Sequence, residues 1–253
     1  MINKDVFIYF PHAGGSKNYF KDIFSNEYHC IGIEYPGHGS RFIEGCCNNI
    51  DSLVESVWES IYPEILEYYG RKIVIFGHSM GAFVAYKVIQ KLEFIGIKPS
   101  AFIISSKSSP QYDVQHEINH LIQDDEVKQF LESYGETPKE ILEIPEMFDI
   151  VKQLIISDTR VLQSFVESFN ICYYNKIITP IYLIRGDNDT VSYESMKDWE
   201  NISHNYKRTT IVEGDHFYFN KSSDKLSEYI ESIFKESTLS IFSEMSKRYA
   251  YGY

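Results

Sequence analysis

The segment KIVIFGHSMGAFVAYK, residues 72–87, decides the fold. It begins with an apolar run of strand type, passes through Gly77-His78-Ser79-Met80-Gly81 and continues with a run typical of a helix. A turn this short between a strand and a helix holds its central residue in a strained backbone conformation. Glycines two positions before and after Ser79 remove side chains that would collide there. The segment therefore predicts a serine hydroxyl raised above a sheet.

This order of strand, G-x-S-x-G and helix is typical of the nucleophile elbow of α/β hydrolases. In such a turn Ser79 is the nucleophile, and the N–H of Met80 points to where an oxyanion would form. The sequence thus predicts an α/β-hydrolase fold, with a mostly parallel central sheet flanked by helices. The alternative is an ordinary Ser/Gly turn, which the flanking strand and helix disfavour.

Composition limits the classes of protein that need to be considered. Of the 253 residues, 43% are hydrophobic and 24% charged, which suits one globular α/β domain with an inserted element. The formal net charge of -12 argues against nucleic acid and anionic membrane surfaces as partners. The sequence has no apolar stretch of membrane-spanning length and no apolar signal region near Met1. Its four cysteines contain no C-x-x-C pair. We expect a cytoplasmic, monomeric protein with reduced thiols.

Short β-branched and aromatic runs alternate with helical patterns, which predicts a parallel sheet covered by helices. The expected strands are residues 6–10, 29–34, 72–76, 101–105, 180–185 and 208–213. Apolar spacing predicts helices over 50–69 and 225–234, and the tail 237–253 could add a terminal helix. The interval from 105 to 180 is too long for one crossover, and helical patterns fall at 124–134, 138–143 and 148–168. We expect one domain over 1–253 with a lid insertion at about 108–175.

A serine nucleophile needs a base, and the base needs an acid to orient it. His216 lies just beyond the last expected strand and is the one of the eight histidines in the position of a base. The acid should follow the preceding strand, where Asp187 and Asp189 are both candidates. We favour Asp189, because hydrolases usually place the acid three residues past the strand-end glycine, here Gly186. Asp187 is then expected to shape the turn by an Asx-type hydrogen bond.

An oxyanion hole needs two backbone donors, of which Met80 N–H is one. The other should come from the loop after the first strand, F-P-H-A-G-G-S at residues 10–16. Its two glycines let the backbone approach a substrate closely, so Ala13 N–H is the expected second donor. His12, His38 and His78 border this site, and we expect them to shape loops rather than to transfer protons in the reaction.

The expected lid contains a motif that suggests a different chemistry. Residues 116–120 read H-E-I-N-H and match H-E-x-x-H, in which two histidines one helical turn apart bind zinc. No third-ligand pattern follows nearby, and such a short match arises readily by chance. We therefore expect a solvated lid helix there and no metal site.

With these residues placed, the chain resembles the type II thioesterases of non-ribosomal peptide and polyketide biosynthesis, the gramicidin-S-thioesterase-like family. The matching motifs are F-P-H-A-G-G-S at 10–16, Y-P-G-H-G-S-R at 35–41, F-G-H-S-M-G-A at 76–82, S-P at 109–110, G-E-T-P at 135–138, S-D at 157–158, Trp199 and D-H-F at 215–217. The chain departs from the family in two places. The family commonly has Pro-Gly-Arg at Pro36-Gly37-His38 and Gly-Gly-His at Gly214-Asp215-His216.

The resemblance implies an activity and a partner. Ser79 would attack an acyl thioester on the phosphopantetheine arm of an acyl or peptidyl carrier protein, with His216 as base and Asp189 orienting it. No cofactor is implied beyond the phosphopantetheine that carries the substrate. The family's usual task is editing, the removal of wrongly primed or stalled acyl groups. The alternatives are a general carboxylesterase or acyl-CoA thioesterase, and a non-catalytic binding protein on the same fold.

Overall fold

The computed structural model describes residues 4–20, 23, 27–115, 123–135, 137–169 and 176–251, with side chains in the last helix as far as Ser237. Six strands form one parallel sheet in the order β2-β1-β3-β4-β5-β6. The strands are β1 (Val6–Phe10), β2 (His29–Gly32), β3 (Ile73–His78), β4 (Ala101–Ser105), β5 (Ile181–Gly186) and β6 (Tyr206–Val212).

The central strands are buried along their whole length because both faces of the sheet are covered. All five residues of β1 are buried, and they alternate between two hydrophobic clusters. Val6 and Ile8 belong to the cluster on one face, whereas Phe7 and Tyr9 belong to the cluster on the other. This is the burial expected of a parallel sheet between two helical layers.

Eight α-helices are described. They are α1 (Ile50–Glu67), α2 (Met80–Phe94), α3 (Pro110–Gln115), α4 (Asp124–Tyr134), α5 (Lys139–Glu143), α6 (Pro145–Ser168), α7 (Tyr193–Lys197) and α8 (Ser223–Tyr251). Helices α1 and α2 cover one face of the sheet, and α8 covers the other with residues such as Leu226 and Ile230. Short 3₁₀ turns lie at Lys17–Phe20, Gly39–Glu44, Asp198–Asn201 and Tyr218–Asn220.

The expected strands and helices agree with the structure to within a few residues. The segment after residue 237 differs from the expectation, because α8 continues without a break to Tyr251 and forms no separate terminal helix. The short helices α3 and α7 were not expected from the sequence, whereas the equally short α5 was.

Helices α3 to α6 lie between β4 and β5, and we call this part of the chain the β4–β5 insertion. It has a small hydrophobic cluster of its own, formed by Val127, Leu131, Leu142, Phe148 and Ile155. Its longest helix, α6, also belongs to the main core. Phe165 near the end of α6 stacks on Phe83 of α2 with ring centroids 4.1 Å apart, and Ser164 accepts a hydrogen bond from the N–H of Ile50.

Within the part of the chain that the structure describes, no helix combines the length and the apolar character needed to cross a membrane.

The stacked pair Phe83–Phe165 anchors the insertion to the sheet layer. We expect Phe165→Ala to lower the free energy of unfolding by about 3–5 kcal/mol, because it leaves a cavity in a fully packed site. Urea denaturation followed by circular dichroism measures this change. Phe94→Ala is the matched control, because Phe94 is 91% exposed and its truncation should cost less than about 0.5 kcal/mol. Equal losses of stability in the two variants would contradict the role of Phe165 as an anchor of the β4–β5 insertion.

Candidate active site

Ser79 occupies the turn between β3 and α2, with φ 52° and ψ -123°. A non-glycine residue at positive φ is strained, and such strain persists only where the surroundings enforce it. Here Gly81 lies against the Phe10 carbonyl, and a Cβ at Gly81 would overlap that oxygen. A Cβ at Gly77 would lie 2.6 Å from the Cα of Ala82. The two glycines therefore allow the helix to begin immediately after the strand.

His216 and Asp189 come from the loops after β6 and β5 and meet at the carboxyl edge of the sheet. Nδ1 of His216 lies 2.9 Å from Oδ1 of Asp189, and the side chain of Asp189 is fully buried. Burial on its own would raise the pKa of Asp189, but the hydrogen bond and charge of His216, with the Val191 N–H, outweigh it and lower the pKa. Asp189 is thus a carboxylate that fixes the orientation of the imidazole.

Asp187 lies on the surface two residues earlier and does not contact His216. Its Oδ1 accepts a hydrogen bond of 2.8 Å from the Gly214 N–H, so it links its own turn to the loop that carries His216. The Asx-type bond expected of Asp187 is made instead by Asp189, which accepts from the Val191 N–H at 2.9 Å. Asp187 therefore has a structural role, but through a different bond.

Ser106 lies on the other side of Asp189, at the end of β4, and sequence reasoning did not identify it. It is fully buried and has a positive φ of 50°. Its hydroxyl helps to lower the pKa of Asp189, although neither Ser106 Oγ nor Asp189 Oδ2 has a hydrogen bond of normal geometry within the described residues. The combination of strain, burial and a carboxylate neighbour has no signature in a single sequence.

The loop after β1 includes the Ala13 N–H, the expected second oxyanion donor. Residues 12–15 form a turn closed by a 3.0 Å hydrogen bond from the Gly15 N–H to the His12 carbonyl, and the Gly14 N–H donates to Asp158. No hydrogen bond from the Ala13 N–H occurs among the described residues. Met80 is the first residue of α2, where backbone N–H groups have no partner within the helix. The Ala13 and Met80 donors thus lie on adjoining strand ends, after β1 and β3.

His12 and His78 are buried beside His216 but differ from it in charge. Burial, together with the charge of His216, lowers the pKa of His12 to about 3 and that of His78 well below its ordinary value. His78 is held by Ser105, whose hydroxyl also contacts the Tyr218 hydroxyl at 2.9 Å. Both rings are therefore neutral at pH 7, so neither repels a positive charge that forms on His216.

The β4–β5 insertion contacts this site directly. Tyr134 at the end of α4 lies against the His216 ring, with ring centroids 4.8 Å apart. Burial and the charge of Asp189 raise the pKa of Tyr134, so its hydroxyl stays neutral. The insertion thus covers the imidazole with an aromatic ring.

Among the described residues no group of three or more His, Cys, Asp or Glu side chains could hold a metal ion. The H-E-x-x-H motif at residues 116–120 lies outside the described residues.

Comparison with known proteins agrees with this architecture. The structure of ClbQ from the colibactin NRPS/PKS pathway superposes with a TM-score of 0.79 at 22% identity, covering 93% of this chain and 99% of ClbQ. The type II thioesterase YbtT of the yersiniabactin pathway gives a TM-score of 0.78 at 21% identity, covering 93% of this chain and 95% of YbtT. These similarities, with the parallel sheet, confirm the α/β-hydrolase fold.

The sequence comparisons identify the family. The gramicidin S biosynthesis protein GrsT of Aneurinibacillus migulanus is 27% identical over 227 residues, covering 87% of this chain and 85% of GrsT. The thioesterase PikA5 of Streptomyces venezuelae is 27% identical over 216 residues, covering 83% of this chain and 74% of PikA5. The model of the thioesterase domain matches residues 6–236. The chain belongs to the thioesterase domain family, which confirms the resemblance, and it is a hydrolase of thioesters.

The contacts of the two aspartates distinguish their roles. We expect Asp189→Asn to lower kcat on a p-nitrophenyl ester by about three to four orders of magnitude, because an amide no longer fixes the productive tautomer of His216. Asp187→Asn should lower kcat less than about tenfold, because Asp187 contacts the Gly214 N–H and not the His216–Asp189 pair. Steady-state kinetics of both purified variants measure this. A larger loss in Asp187→Asn would transfer the acid role to Asp187.

Proposed function

We propose that this chain hydrolyses acyl thioesters carried on the phosphopantetheine arm of carrier proteins. Ser79 is the nucleophile, His216 the general base and Asp189 the residue that orients it, and the N–H groups of Ala13 and Met80 form the oxyanion hole. What supports the proposal is that the strained Ser79 turn and the His216–Asp189 pair both follow strands of one parallel sheet at its carboxyl edge, in a thioesterase-family chain.

The carrier-bound nature of the substrate rests on the relatives. GrsT is named for gramicidin S biosynthesis, and YbtT is a type II thioesterase of the yersiniabactin NRPS/PKS pathway. Acyl chains in such pathways are held as thioesters on carrier proteins. We extend this substrate class to the present chain as part of the proposal.

The first half of the reaction forms an acyl-enzyme. Because Nδ1 of His216 is bonded to Asp189, Nε2 is the nitrogen that takes the proton of the Ser79 hydroxyl. Ser79 Oγ bonds to the thioester carbonyl carbon, and the oxyanion that forms accepts hydrogen bonds from Ala13 and Met80. Collapse breaks the carbon–sulfur bond, and the imidazolium of His216 returns its proton to the departing thiol.

The second half releases the acid. Water enters the place of the thiol, and His216 takes its proton as the oxygen bonds to the acyl carbon. A second tetrahedral oxyanion forms in the same hole and collapses, breaking the bond to Ser79 Oγ, which regains the proton from His216. All groups in both steps are side chains, backbone N–H groups and water, so the proposal includes no cofactor.

The organisation and setting of the protein are part of the same proposal. We propose that residues 1–253 form one hydrolase domain and that the segment at about 108–175 is its lid, which is supported by the contact of Tyr134 with His216. We place the enzyme in the cytoplasm as a monomer. The free thiols of Cys30, Cys46 and Cys47 suit a reducing compartment, and the net charge of -12 opposes self-association.

Replacing the nucleophile tests the chemistry. We expect Ser79→Ala to lower turnover by about five orders of magnitude or more and to abolish labelling by a fluorophosphonate probe. Its free energy of unfolding should stay within about 1 kcal/mol of the wild-type value. Thr159→Ser serves as a hydroxyl control, because Thr159 bonds only the Ile155 carbonyl of its own helix and should keep full labelling. Residual activity near wild type in Ser79→Ala would refute the assignment.

A comparison of three substrates tests whether the enzyme prefers an acyl group that is bound to a carrier protein. We expect kcat/KM to be highest on an acyl-carrier protein, lower on the matching acyl-CoA and lowest on a p-nitrophenyl ester, because only the first presents the protein part of the substrate. Equal or better rates on the ester would identify a general carboxylesterase. Equal rates on acyl-CoA and acyl-carrier protein would identify an acyl-CoA thioesterase.

A further inference from the structure

Asp158 of helix α6 reaches from the β4–β5 insertion into the loop that carries Ala13. Its Oδ2 accepts a hydrogen bond of 2.7 Å from the Gly14 N–H, across 144 positions of the chain. The same oxygen lies 3.0 Å from Nε2 of His38. The side chains of Asp158 and His38 are only 4% and 2% exposed, so this is a desolvated charge pair.

The two acceptors around His38 favour its protonated form. Its Nδ1 lies 3.1 Å from the Pro36 carbonyl oxygen, which can only accept a hydrogen bond. Its Nε2 faces the Asp158 carboxylate, which also only accepts. With Asp158 ionised, both ring nitrogens act as donors and the ring is an imidazolium.

The surroundings favour that charge. Burial on its own would lower the pKa of His38, but the hydrogen bond and charge of Asp158, the Pro36 carbonyl and the charge of Glu34 outweigh it and raise the pKa. The other titratable groups around the pair, among the described residues, are His12, Tyr35, Cys46 and Cys47. Burial keeps all four neutral near pH 7, because it lowers the pKa of His12 and raises those of Tyr35, Cys46 and Cys47.

The turn that Asp158 contacts is the one that presents Ala13. Ala13 and Gly14 are its central residues, and Gly14 has φ 75°, as the third position of a type II turn requires. The peptide between the two central residues can flip in such turns, which reverses the Gly14 N–H. Asp158 holds that N–H in one direction. Ile155, one turn earlier on α6, closes the same side, since a Cβ at Gly14 would lie 2.8 Å from its Cδ1.

We propose that Asp158 is a positioning residue for the oxyanion hole, held in place by a protonated His38, so that helix α6 and the Ala13 turn act as one unit. The role given to Ala13 rests on the proposed function. The contacts of Gly14 and His38 with Asp158 do not depend on it.

The Pro36 carbonyl and the Asp158 carboxylate determine how the contacts of His38 change with pH. Loss of a proton from His38 leaves a lone pair facing either the carbonyl or the carboxylate, so one of its two hydrogen bonds is lost. We call the two hydrogen bonds of the His38 ring, to Pro36 and Asp158, the clamp. Since the pKa of His38 is raised in the folded protein, the clamp is intact below the ordinary histidine pKa and is lost as pH rises through the folded value. The Ala13 turn should therefore loosen at alkaline pH.

The first test removes the carboxylate. Asp158→Asn should lower kcat on a p-nitrophenyl ester by about 10- to 100-fold, with KM changed less than about twofold. The loss is smaller than that caused by removing an oxyanion donor, because the Ala13 N–H is misplaced for only part of the time. Hydrogen exchange of the Gly14 amide should accelerate. Glu64→Gln is the matched control, because Glu64 pairs with His29 at the same 3.0 Å but on the surface. Unchanged kcat and unchanged Gly14 exchange in Asp158→Asn would overturn the proposal.

The second test moves the pH profile. Wild-type kcat should fall on the alkaline side as His38 loses its proton, whereas His38→Arg, which keeps its charge, should lack that fall. His38→Gln should show a lowered kcat with no alkaline fall, and His29→Gln should follow the wild type. If the His38 variants do not fold, NMR titration of the wild-type ring replaces them. Titration of His38 at or below the ordinary histidine pKa would overturn the proposal.

These results separate the two proposals. Accelerated Gly14 exchange and a raised His38 titration with no hydrolysis of acyl-carrier protein would sustain the clamp and reject the proposed function. Hydrolysis of acyl-carrier protein, together with an unchanged kcat and unchanged Gly14 exchange in Asp158→Asn, would sustain the proposed function and reject the positioning role of Asp158.

Discussion

The close approach of the first turn of α2 to the end of β1 is the constraint on which the site depends. Gly81 lies against the carbonyls of Phe10 and Pro11, with no room for a side chain. This contact forces the positive φ of Ser79, because the chain must turn into α2 within a single residue. It also brings the loop after β1 beside Ser79. The Ser79 turn and the Ala13 loop are therefore fixed by one packing contact, at the point where strand order reverses.

Electrostatics at the site depend on which buried groups are neutral. Around His216, burial keeps His12 and His78 uncharged, and Asp189 is the carboxylate in direct contact with the ring. Around His38 the same burial is outweighed by Asp158. The two buried histidines His12 and His38, on adjoining loops, thus differ in charge. His12 is neutral and His38 is protonated, because of the two only His38 has a carboxylate within hydrogen-bond distance among the described residues. Geometry rather than residue type decides the charge.

The sequence predicted the sheet, the main helices and the candidates Ser79, His216 and Asp189, because each follows a strand end and strand ends show as apolar runs. It did not reveal Ser106, whose strain and burial arise from packing. Asp158 was visible as part of a motif, but its contact with Gly14 spans 144 positions and has no local signal. Local patterns gave the elements and the groups at their ends, whereas contacts between distant elements required the fold.

Helix α6 has 24 residues and is therefore about 36 Å long. Its last turns are packed in the main core through Phe165, its first turns are packed in the insertion through Phe148, and Asp158 ties its middle to the Ala13 turn. The helix is thus fixed at three points along its length. A displacement of α6 at any one of them is resisted by the other two, so the Ala13 turn is mechanically coupled to the main core as well as to the insertion.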